Sequence, residues 1–430
     1  MNETLTAEFP SPARLGGGGR RYKILFVSYH CLLDPSSGAA ISAIDLLELL
    51  GSRGWDVRAF CGPLLDSPGD GPIARRLADQ RVDFHRRRTP PGFPPVGVLH
   101  FHRGRVPGMV FEPSSFAPDV APVDAQAFLE LYQRLLDQFC PDVIVTYGGH
   151  RVAGELMRRA RQRGARVVFW LRNFAYRDAR LFQPVDAVLV ASQFVAHHYA
   201  RLLGLQSTVI PSPLDWSKIQ SDRASGQHYV TFVNPHPTKG VFVFARIAEQ
   251  LYQHRPDIPL LVVEGRGGAG WLGRTGVDLC GLRNLYMMAN TPDPRDFYRV
   301  SRVVLMPSLW REAFGRVAAE AIINGIPVLA TNRGGLPETL RDAGFLLPIA
   351  SDYTSESRVA PTADEVGPWV RAIIDLWDDQ TLYEREQVRC RRAAQAWQPE
   401  HLAAKYDRFF RQLAEYNGVE ARHLPQKFIS

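Results

Sequence analysis

The chain has 430 residues, of which 45% are apolar and 22% are charged, and its formal net charge is +7. This length exceeds the size at which one hydrophobic core usually stops growing, so the sequence predicts a globular protein of two domains. The positive charge fits a solvated arginine-rich surface, an anionic ligand or an acidic membrane face. A nucleic-acid-binding protein is disfavoured, because the sequence has no zinc-ligand spacing, no RNA-binding signature and no basic reading helix.

The cysteines and the apolar segments indicate the compartment. The five cysteines lie far apart, which predicts free thiols in a reducing environment. Residues 1–20 contain no apolar core and are predicted to be a disordered tail, and no later stretch has 18 continuous apolar residues. The sequence therefore predicts a cytoplasmic protein, and contact with an anionic membrane surface stays open as an alternative.

Strands alternate with helices through the first half of the chain. Residues 22–28 form the first predicted strand, and a helix follows from about Gly38. Further strands are predicted at residues 56–61, 81–84, 142–147, 166–171 and 187–191, and helical spacing links most of them. This alternation predicts an α/β fold with a parallel sheet covered on both faces, whose ligand crevice lies at the carboxyl ends of the strands.

Residues 85–122 interrupt this pattern. They are rich in Pro, Gly and Arg, and we predict an irregular insertion that is either disordered or a lid on the acceptor side. His100 and His102 lack a third metal ligand and are interpreted as surface histidines. The arginines from Arg86 to Arg88 are a solvated run, or they bind an anionic acceptor or a lipid headgroup.

The alternation resumes after a polar, proline-containing stretch. Strands are predicted at residues 229–233, 260–263, 303–306 and 327–331, with a helix from Val241 and another between the last two strands. The predicted domains are residues 21–212 and residues 213–400. Residues 401–430 are predicted to form a helix that crosses back to the first domain.

The loop before residue 316 has the features of a phosphate cradle. Gly315 lets the backbone approach an anion, and the amides at the start of the next helix point outward. Glu312 is better suited to accepting hydrogen bonds from sugar hydroxyls. Glu320 has two interpretations, since it can take ribose hydroxyls or pair with Arg316 four residues before it.

Three segments in this region carry a resemblance to a known family. EAFGRVAAEA places seven residues between Glu312 and Glu320, and it is followed by GIPVLAT and GGLPE. This pattern resembles the nucleotide-sugar site of family 4 retaining glycosyltransferases of the GT-B fold. The resemblance implies two facing Rossmann-like, doubly wound parallel-sheet domains with a central cleft. It places the donor mainly on the second domain and the acceptor mainly on the first.

The family's donor site transfers to this sequence position by position. By resemblance, Glu312 contacts donor-sugar hydroxyls and is catalytic, Lys239 in PTKG binds phosphate and is catalytic, and Glu320 holds ribose. The backbone around the sugar and diphosphate is contributed by Ala313, Phe314, Gly315, Arg316 and Val317.

Two departures from the family pattern need replacements. Val233 and Asn234 stand where the family has Gly-Arg, so the second diphosphate cation is predicted to be Arg266 or Arg316, with Asn234 still in the donor site. In the first domain Tyr147 occupies the position of a family histidine, and His150 is the predicted catalytic replacement. The predicted acceptor-binding residues, at strand ends, are Ser37, Gly38, Tyr147, Gly149, His150, Arg172 and Asn173.

The predicted reaction is retaining transfer of a hexosyl group from a UDP- or GDP-sugar to an acceptor hydroxyl, in glycan, glycolipid or glycoside synthesis. No Asp-x-Asp motif stands at a strand end, so we expect no metal cofactor, with electrostatic help from Lys, Arg and helix amides. No first-domain carboxylate is an obvious nucleophile, which favours a front-face mechanism. The alternatives are an inactive nucleotide-sugar-binding protein and a GT-B sugar epimerase.

Overall fold

A computed structural model describes residues 20–66, 71–88, 97–114, 121–222, 226 and 228–416. The predicted N-terminal tail lies outside these residues except for Arg20, and so does the last part of the predicted 401–430 element. In the part of the chain that is described, none of the helices combines the length and the apolar character needed to span a membrane.

The first sheet is formed by residues from the first half of the chain. Its nine described strands lie in the spatial order β3-β4-β5-β2-β1-β6-β7-β8-β9. The strands are β1 (Lys23–His30), β2 (Asp56–Leu64), β3 (His85–Arg88), β4 (Gly97–Arg103), β5 (Val106–Glu112), β6 (Val143–Thr146), β7 (Arg166–Trp170), β8 (Ala187–Val190) and β9 (Thr208–Val209). The helices of this half are α1 (Gly38–Ser52), α2 (Ile73–Asp79), α3 (Pro122–Phe139), α4 (Ala153–Gln162), α5 (Gln193–Leu203) and α6 (Trp216–Ile219).

The second sheet has six described strands in the order β12-β11-β10-β13-β14-β15, and all its strand pairs are parallel. The strands are β10 (Tyr229–Val233), β11 (Leu260–Val263), β12 (Leu285–Met288), β13 (Ser301–Met306), β14 (Val328–Thr331) and β15 (Phe345–Leu347). The helices are α7 (Val241–His254), α8 (Arg295–Tyr298), α9 (Arg316–Ile323), α10 (Leu336–Leu340), α11 (Ala363–Asp378), α12 (Gln380–Ala394) and α13 (Pro399–Glu415).

Helices cover both faces of each sheet, as the alternating pattern predicts. In β1, Ile24 and Phe26 belong to one core cluster, which includes Ala43, Leu46, Leu47 and Leu50 of α1. Leu25 and Val27 point the other way, into a second cluster with α3. A third cluster fills the space between the second sheet and α7 and α11. The prediction of an α/β fold with two parallel-sheet domains is confirmed.

Helix α13 packs against the first sheet rather than the second. The Trp55 indole donates to Asp407 at 2.8 Å, and the Tyr406 hydroxyl donates to the Pro211 carbonyl at 2.8 Å. The Trp170 and Tyr406 rings meet edge to face with their centroids 6.4 Å apart. Because α12, which precedes α13, packs on α9 of the second domain, the chain returns to the first domain through α13.

The prediction of an irregular segment at residues 85–122 is wrong for its described part. β3, β4 and β5 continue the first sheet, with antiparallel pairing between β3 and β4 and between β4 and β5. A turn at Gly104, where φ is +53°, joins β4 to β5, and Gly108 makes room for the Phe101 ring across the pair. Pro and Gly therefore lie within paired strands and their turn here, where composition alone indicated a broken loop. Residues 89–96 and 115–120 lie outside the described residues.

The strand predicted at residues 81–84 is also misplaced. Arg81 has a φ of +56° and its amide donates to the Ala78 carbonyl, so it ends the turn after α2. The strand begins later, at His85.

Candidate functional site

The 312–315 loop connects β13 to α9 at the carboxyl end of the second sheet. Gly315 precedes the first residue of α9 and has φ +87° and ψ +60°. A side chain there would be strained, and its Cβ would lie 2.6 Å from the Leu336 Cδ2 atom. Glycine therefore fits this position, and it caps the amides at the start of α9 with no side chain, which suits an anion-binding helix start.

Lys239 and Glu312 form the central ion pair of this loop. The Lys239 ammonium lies 2.6 Å from a Glu312 carboxylate oxygen, and the Ser308 hydroxyl donates to the same oxygen at 2.9 Å. Lys239 precedes Gly240, which is the N-cap residue of α7 and has a φ of +84°. A Cβ on Gly240 would lie 1.9 Å from the Pro307 carbonyl oxygen, so glycine brings this turn close to the end of β13. The structure thus brings together two predicted donor residues that are distant in sequence.

Arg316 and Glu320 form a second, more buried pair. The Arg316 guanidinium lies 2.5 Å from one Glu320 oxygen and 2.8 Å from an oxygen of Asp45, on α1 of the first domain. The Tyr298 hydroxyl donates to the other Glu320 oxygen at 3.0 Å. Burial raises the pKa of Glu320, although Arg316 opposes this effect. The i, i+4 pairing is therefore present, and Arg316 joins the two domains.

Arg266 is positioned differently from Arg316. It lies in the loop after β11, where the Asn234 side chain accepts from the Gly267 amide at 2.7 Å. Asn234 itself has a φ of +64°. The Arg266 side chain is 39% exposed, and its guanidinium lies 3.5 Å from Asp66 in the first domain. The Arg266 side chain is therefore a partly exposed cation that faces the first domain across the interdomain cleft.

Sequence reasoning did not predict the first-domain residues near Arg266, which are Asp66 and His30. His30 ends β1, and its Nδ1 atom lies 3.9 Å from an oxygen of Asp66. The Asp66 amide donates to the Asp34 carboxylate at 2.6 Å, which ties the loops after β1 and β2 together. Burial lowers the pKa of His30, against the opposing charges of Asp66 and Asp34. The available signal was the run HCLLD at the end of the first strand.

Tyr147 and His150 follow β6. Tyr147 is buried, and within the described residues its hydroxyl has no hydrogen-bond partner. Burial raises the pKa of this hydroxyl well above its usual value. The His150 ring stacks on Tyr29 with a centroid separation of 4.2 Å, and its Nδ1 atom accepts from the Val152 amide at 3.4 Å. His30, by contrast, is linked to the second domain through Asp66 and Arg266.

The remaining predicted acceptor residues lie at the start of α1 and in the loops after β6 and β7. Ser37 caps α1, and Arg172 donates to the hydroxyls of Ser42 and Ser212 at 2.9 and 2.8 Å and to the Gly38 carbonyl at 3.5 Å. Burial lowers the pKa of Arg172 to about 10. The Asn173 side chain accepts from the Ala175 amide at 3.0 Å, and Gly149 is exposed. Arg172 and Arg316 therefore both contact Ser42, because the Arg316 guanidinium lies 3.3 Å from the same hydroxyl.

Groups of three or more His, Cys, Asp or Glu side chains that could hold a metal ion are absent from the described residues. His100 and His102 accordingly have no such group around them.

The family model described as "Glycosyl transferases group 1" matches residues 218–395, which include the Lys239 turn and the 312–315 loop. A D-inositol 3-phosphate glycosyltransferase of Paenarthrobacter aurescens is 31% identical over 147 residues. This match covers 33% of the present chain and 33% of that protein, so the similarity spans about a third of this relative.

Solved structures are similar over nearly the whole chain. A glycosyltransferase from Rickettsia africae superposes with a TM-score of 0.66 and 15% identity, covering 92% of this chain and 100% of that one. HepE from Anabaena, in complex with UDP and glucose, superposes with a TM-score of 0.61 and 16% identity, covering 91% of this chain and 99% of that one. At these identities the likeness concerns the two-domain fold.

Proposed function

We propose that this protein transfers a sugar to an acceptor hydroxyl with retention of anomeric configuration, because residues 218–395 match the family model of the group 1 glycosyl transferases and the chain has the GT-B fold. The donor is a nucleotide diphosphate sugar carrying UDP or GDP. The observation that carries the proposal is the Lys239–Glu312 pair, 2.6 Å apart beside Gly315. The UDP and glucose bound by HepE support this donor class.

Lys239 and Arg266 stabilise the leaving group in this proposal. As the bond between the sugar and the diphosphate breaks, negative charge grows on the departing phosphate, where fixed cations and amides lower its energy. Lys239 leaves Glu312 for the phosphate, and the amides after Gly315 contact the same group. Arg266, with 39% of its side chain exposed, turns from Asp66 to the diphosphate. It thus supplies the charge that Asn234 cannot.

Glu312 orients the sugar. Once the Lys239 ammonium contacts phosphate, the Glu312 carboxylate can accept hydrogen bonds from donor-sugar hydroxyls. Ser308 continues to donate to it at 2.9 Å and keeps its direction fixed. Sugar binding and phosphate binding are therefore coupled through one ion pair.

The acceptor binds on the first-domain side of the cleft, at the ends of β1, β2 and β6. Its hydroxyl oxygen attacks the anomeric carbon from the face that the diphosphate leaves, and an oxygen of the leaving phosphate takes the hydroxyl proton. The new bond then has the configuration of the old one, and no carboxylate nucleophile is needed. His30, whose pKa is lowered by burial, offers a neutral imidazole for hydrogen bonding to the acceptor.

We also propose that the reaction needs no divalent metal, because Lys239, Arg266 and the helix amides supply the positive charge. Transfer or donor hydrolysis should therefore proceed at the same rate with EDTA as with Mg²⁺. A loss of activity in EDTA that Mg²⁺ restores would show that metal charge is required.

The deciding experiment incubates the full chain with a panel of UDP- and GDP-sugars and follows the products by NMR. Slow hydrolysis or transfer of one donor, with the anomeric configuration retained, is the expected result. An inverted product would refute the retaining assignment. Binding without turnover would identify an inactive nucleotide-sugar-binding protein, and a changed sugar still linked to nucleotide would identify an epimerase.

A further inference from the structure

Helix α5 of the first domain is capped by a carboxylate from the second domain. Ser192 is its N-cap residue, and the amides of Gln193 and Phe194 are the first two of the helix. The two oxygens of Glu338, on α10, accept from these amides at 2.7 and 2.6 Å. A negative charge at a helix start is stabilising, because the first amides lack partners inside the helix.

A second contact joins the same helix start to the 312–315 loop. The Ser192 hydroxyl donates to the Ala313 carbonyl at 2.7 Å, while it accepts from the Val195 amide at 3.3 Å. A Cβ on Gly335 would lie 2.9 Å from the Ser192 hydroxyl oxygen and 2.8 Å from the Ala313 carbonyl oxygen. The first domain therefore contacts the backbone next to Glu312 directly.

The Glu338 segment and the 312–315 loop form one unit. The Gly335 amide donates to the Glu312 carbonyl at 2.7 Å, and the Thr339 hydroxyl donates to the Phe314 carbonyl. Glu312 and Gly334 also form an isolated parallel β-bridge. A change in the position of Glu338 should therefore also move the residues that flank Gly315.

We propose that Glu338 is a positioning residue, which fixes the 312–315 loop against the first domain through the start of α5. Glu338 touches neither donor nor acceptor. It acts by keeping the donor side of the cleft, on the second domain, aligned with the acceptor side, on the first domain. This inference rests on the proposed function, because the register matters only if a donor on one domain reacts with an acceptor on the other. In such a reaction, small misplacement of the reacting groups lowers the rate more than it lowers binding.

The contact is suited to a reversible closure. Glu338 is exposed, so its interaction with the amides is weakened by salt and can be broken when the cleft opens. Ser192, in contrast, is buried and contacts backbone alone. The Glu338 contact is therefore sensitive to salt, whereas the neighbouring hydrogen bond from Ser192 to Ala313 is neutral.

The test compares Glu338→Ala and Glu338→Gln with Glu365→Ala in the full chain. Glu365 is the matched control, since its carboxylate accepts from the Thr362 amide at 2.8 Å at the start of α11, within one domain. Three quantities are measured at low and high salt: the turnover number, the dissociation constant for the donor, and hydrogen exchange of the peptide that contains Gln193 and Phe194.

We expect Glu338→Ala to lower the turnover number by about threefold to tenfold, with a smaller loss for Glu338→Gln, and the difference from wild type should shrink at high salt. Donor affinity should stay within about twofold, since the donor contacts remain on the second domain. Exchange at Gln193 and Phe194 should become faster. Glu365→Ala should change neither turnover nor exchange in α5.

A purely structural role would lower the melting temperature of the Glu338 and Glu365 variants alike and leave the turnover number of both unchanged. That result would overturn the proposal, as would unchanged exchange in the α5 peptide of Glu338→Ala. If the wild-type protein transfers no sugar, the proposed function fails on its own. The exchange measurement still decides in that case whether Glu338 holds α5.

Discussion

The Lys239 ammonium lies 2.6 Å from a Glu312 carboxylate oxygen, and this ion pair joins the turn after β10 to the loop after β13. Glu312 is buried and Lys239 is half-buried, and the pair is neutral as a unit. A phosphate that approaches Lys239 must compete with Glu312, and a sugar hydroxyl that approaches Glu312 must compete with Lys239. The pair therefore binds a ligand best when that ligand supplies both groups at once, as a sugar diphosphate does.

Replacing Lys239 by Met should lower kcat/KM by about a hundredfold to a thousandfold, the usual effect of removing a charge donor from a leaving group. The same change leaves Glu312 with only Ser308 as its partner, so the free energy of unfolding should fall by about 1–3 kcal/mol. Steady-state kinetics and urea unfolding measure the two effects. Lys405→Met, on exposed α13 surface, is the control and should alter neither.

The double variant Lys239→Met/Glu312→Gln separates these effects. It removes the unpaired charge and should recover most of the lost stability, but it should stay inactive. Recovery of activity in the double variant would mean that Lys239 acts only by neutralising Glu312.

Arg266 and Arg316 should behave differently when replaced by Ala. Arg266→Ala should raise the dissociation constant for UDP or GDP by about tenfold to a hundredfold, the value of one charge-assisted hydrogen bond. Arg316→Ala leaves Asp45 and Glu320 buried without their shared partner, so its main effect should be a loss of about 3–5 kcal/mol in stability. Calorimetric titration and urea unfolding distinguish the two. A large loss of nucleotide affinity in Arg316→Ala alone would reverse the assignment.

The strand–helix–strand unit that carries Glu312 and Gly315 could be predicted from the sequence because it is local. The β13–α9–β14 unit lies within residues 301–331, and its apolar periodicity and glycines are visible in the sequence. The approach of Lys239 to Glu312 did not follow from periodicity and came only with the family resemblance. Sequence periodicity therefore predicted the geometry within one strand–helix–strand unit, but not the contacts between distant loops.

The cleft contacts could not be predicted, since they depend on how loops meet after folding. His30 is the last residue of β1, whereas Asp66 and Arg266 lie in two loops, and Arg266 is 200 residues beyond Asp66 in the sequence. Glu338 is 145 residues from Gln193. The β4–β5 hairpin was missed for another reason, because its Pro and Gly content masked the alternation that places Leu99 and Phe101 on one face of β4 and Val98 on the other. The prediction of an irregular segment there followed the Pro and Gly content and overlooked the apolar spacing.

Replacing Gly315 by Ala should impair both folding and activity. The position has a φ of +87°, and the new Cβ would lie 2.6 Å from Leu336, so a loss of about 1–3 kcal/mol is expected. The start of α9 would move, and nucleotide affinity should fall with it. Gly154→Ala, inside α4 with nothing within 4 Å of its Cβ, is the matched control and should be neutral or stabilising. Equal melting temperatures for the two variants would contradict the strain argument.

The edge formed by β3 and β4 should contribute to binding of anionic membranes if the protein works at a membrane surface. Arg87 and Arg103 are exposed there, and neither forms an ion pair with a described carboxylate. Replacing both by Gln should weaken cosedimentation with phosphatidylglycerol vesicles by about tenfold or more at low salt, at about 1 kcal/mol per arginine. Arg201→Gln/Arg283→Gln removes the same charge from exposed positions elsewhere and should have little effect. Equal losses in both variants would mean that net charge alone matters.

His100, on β4, should make stability depend on pH below neutrality. Burial, then the nearby Arg87, His85 and His102, lower its pKa to about 4 from an ordinary value of 6.5. The unfolded chain therefore binds this proton first as the pH falls. The contribution to stability is fully present above pH 6.5 and is lost between pH 6.5 and pH 4, with a slope of up to about 1.4 kcal/mol per pH unit, less for a partly exposed ring.

Urea unfolding of wild type, His100→Gln and His102→Gln at several pH values from 7.5 to 4.5 tests this dependence. His100→Gln should flatten the fall in stability below pH 6.5, because its side chain takes up no proton. His102→Gln removes an exposed imidazole from the same strand and should keep most of the wild-type slope. If His100→Gln retains the full slope, the loss must come from other groups, and the half-buried His100 does not control acid stability.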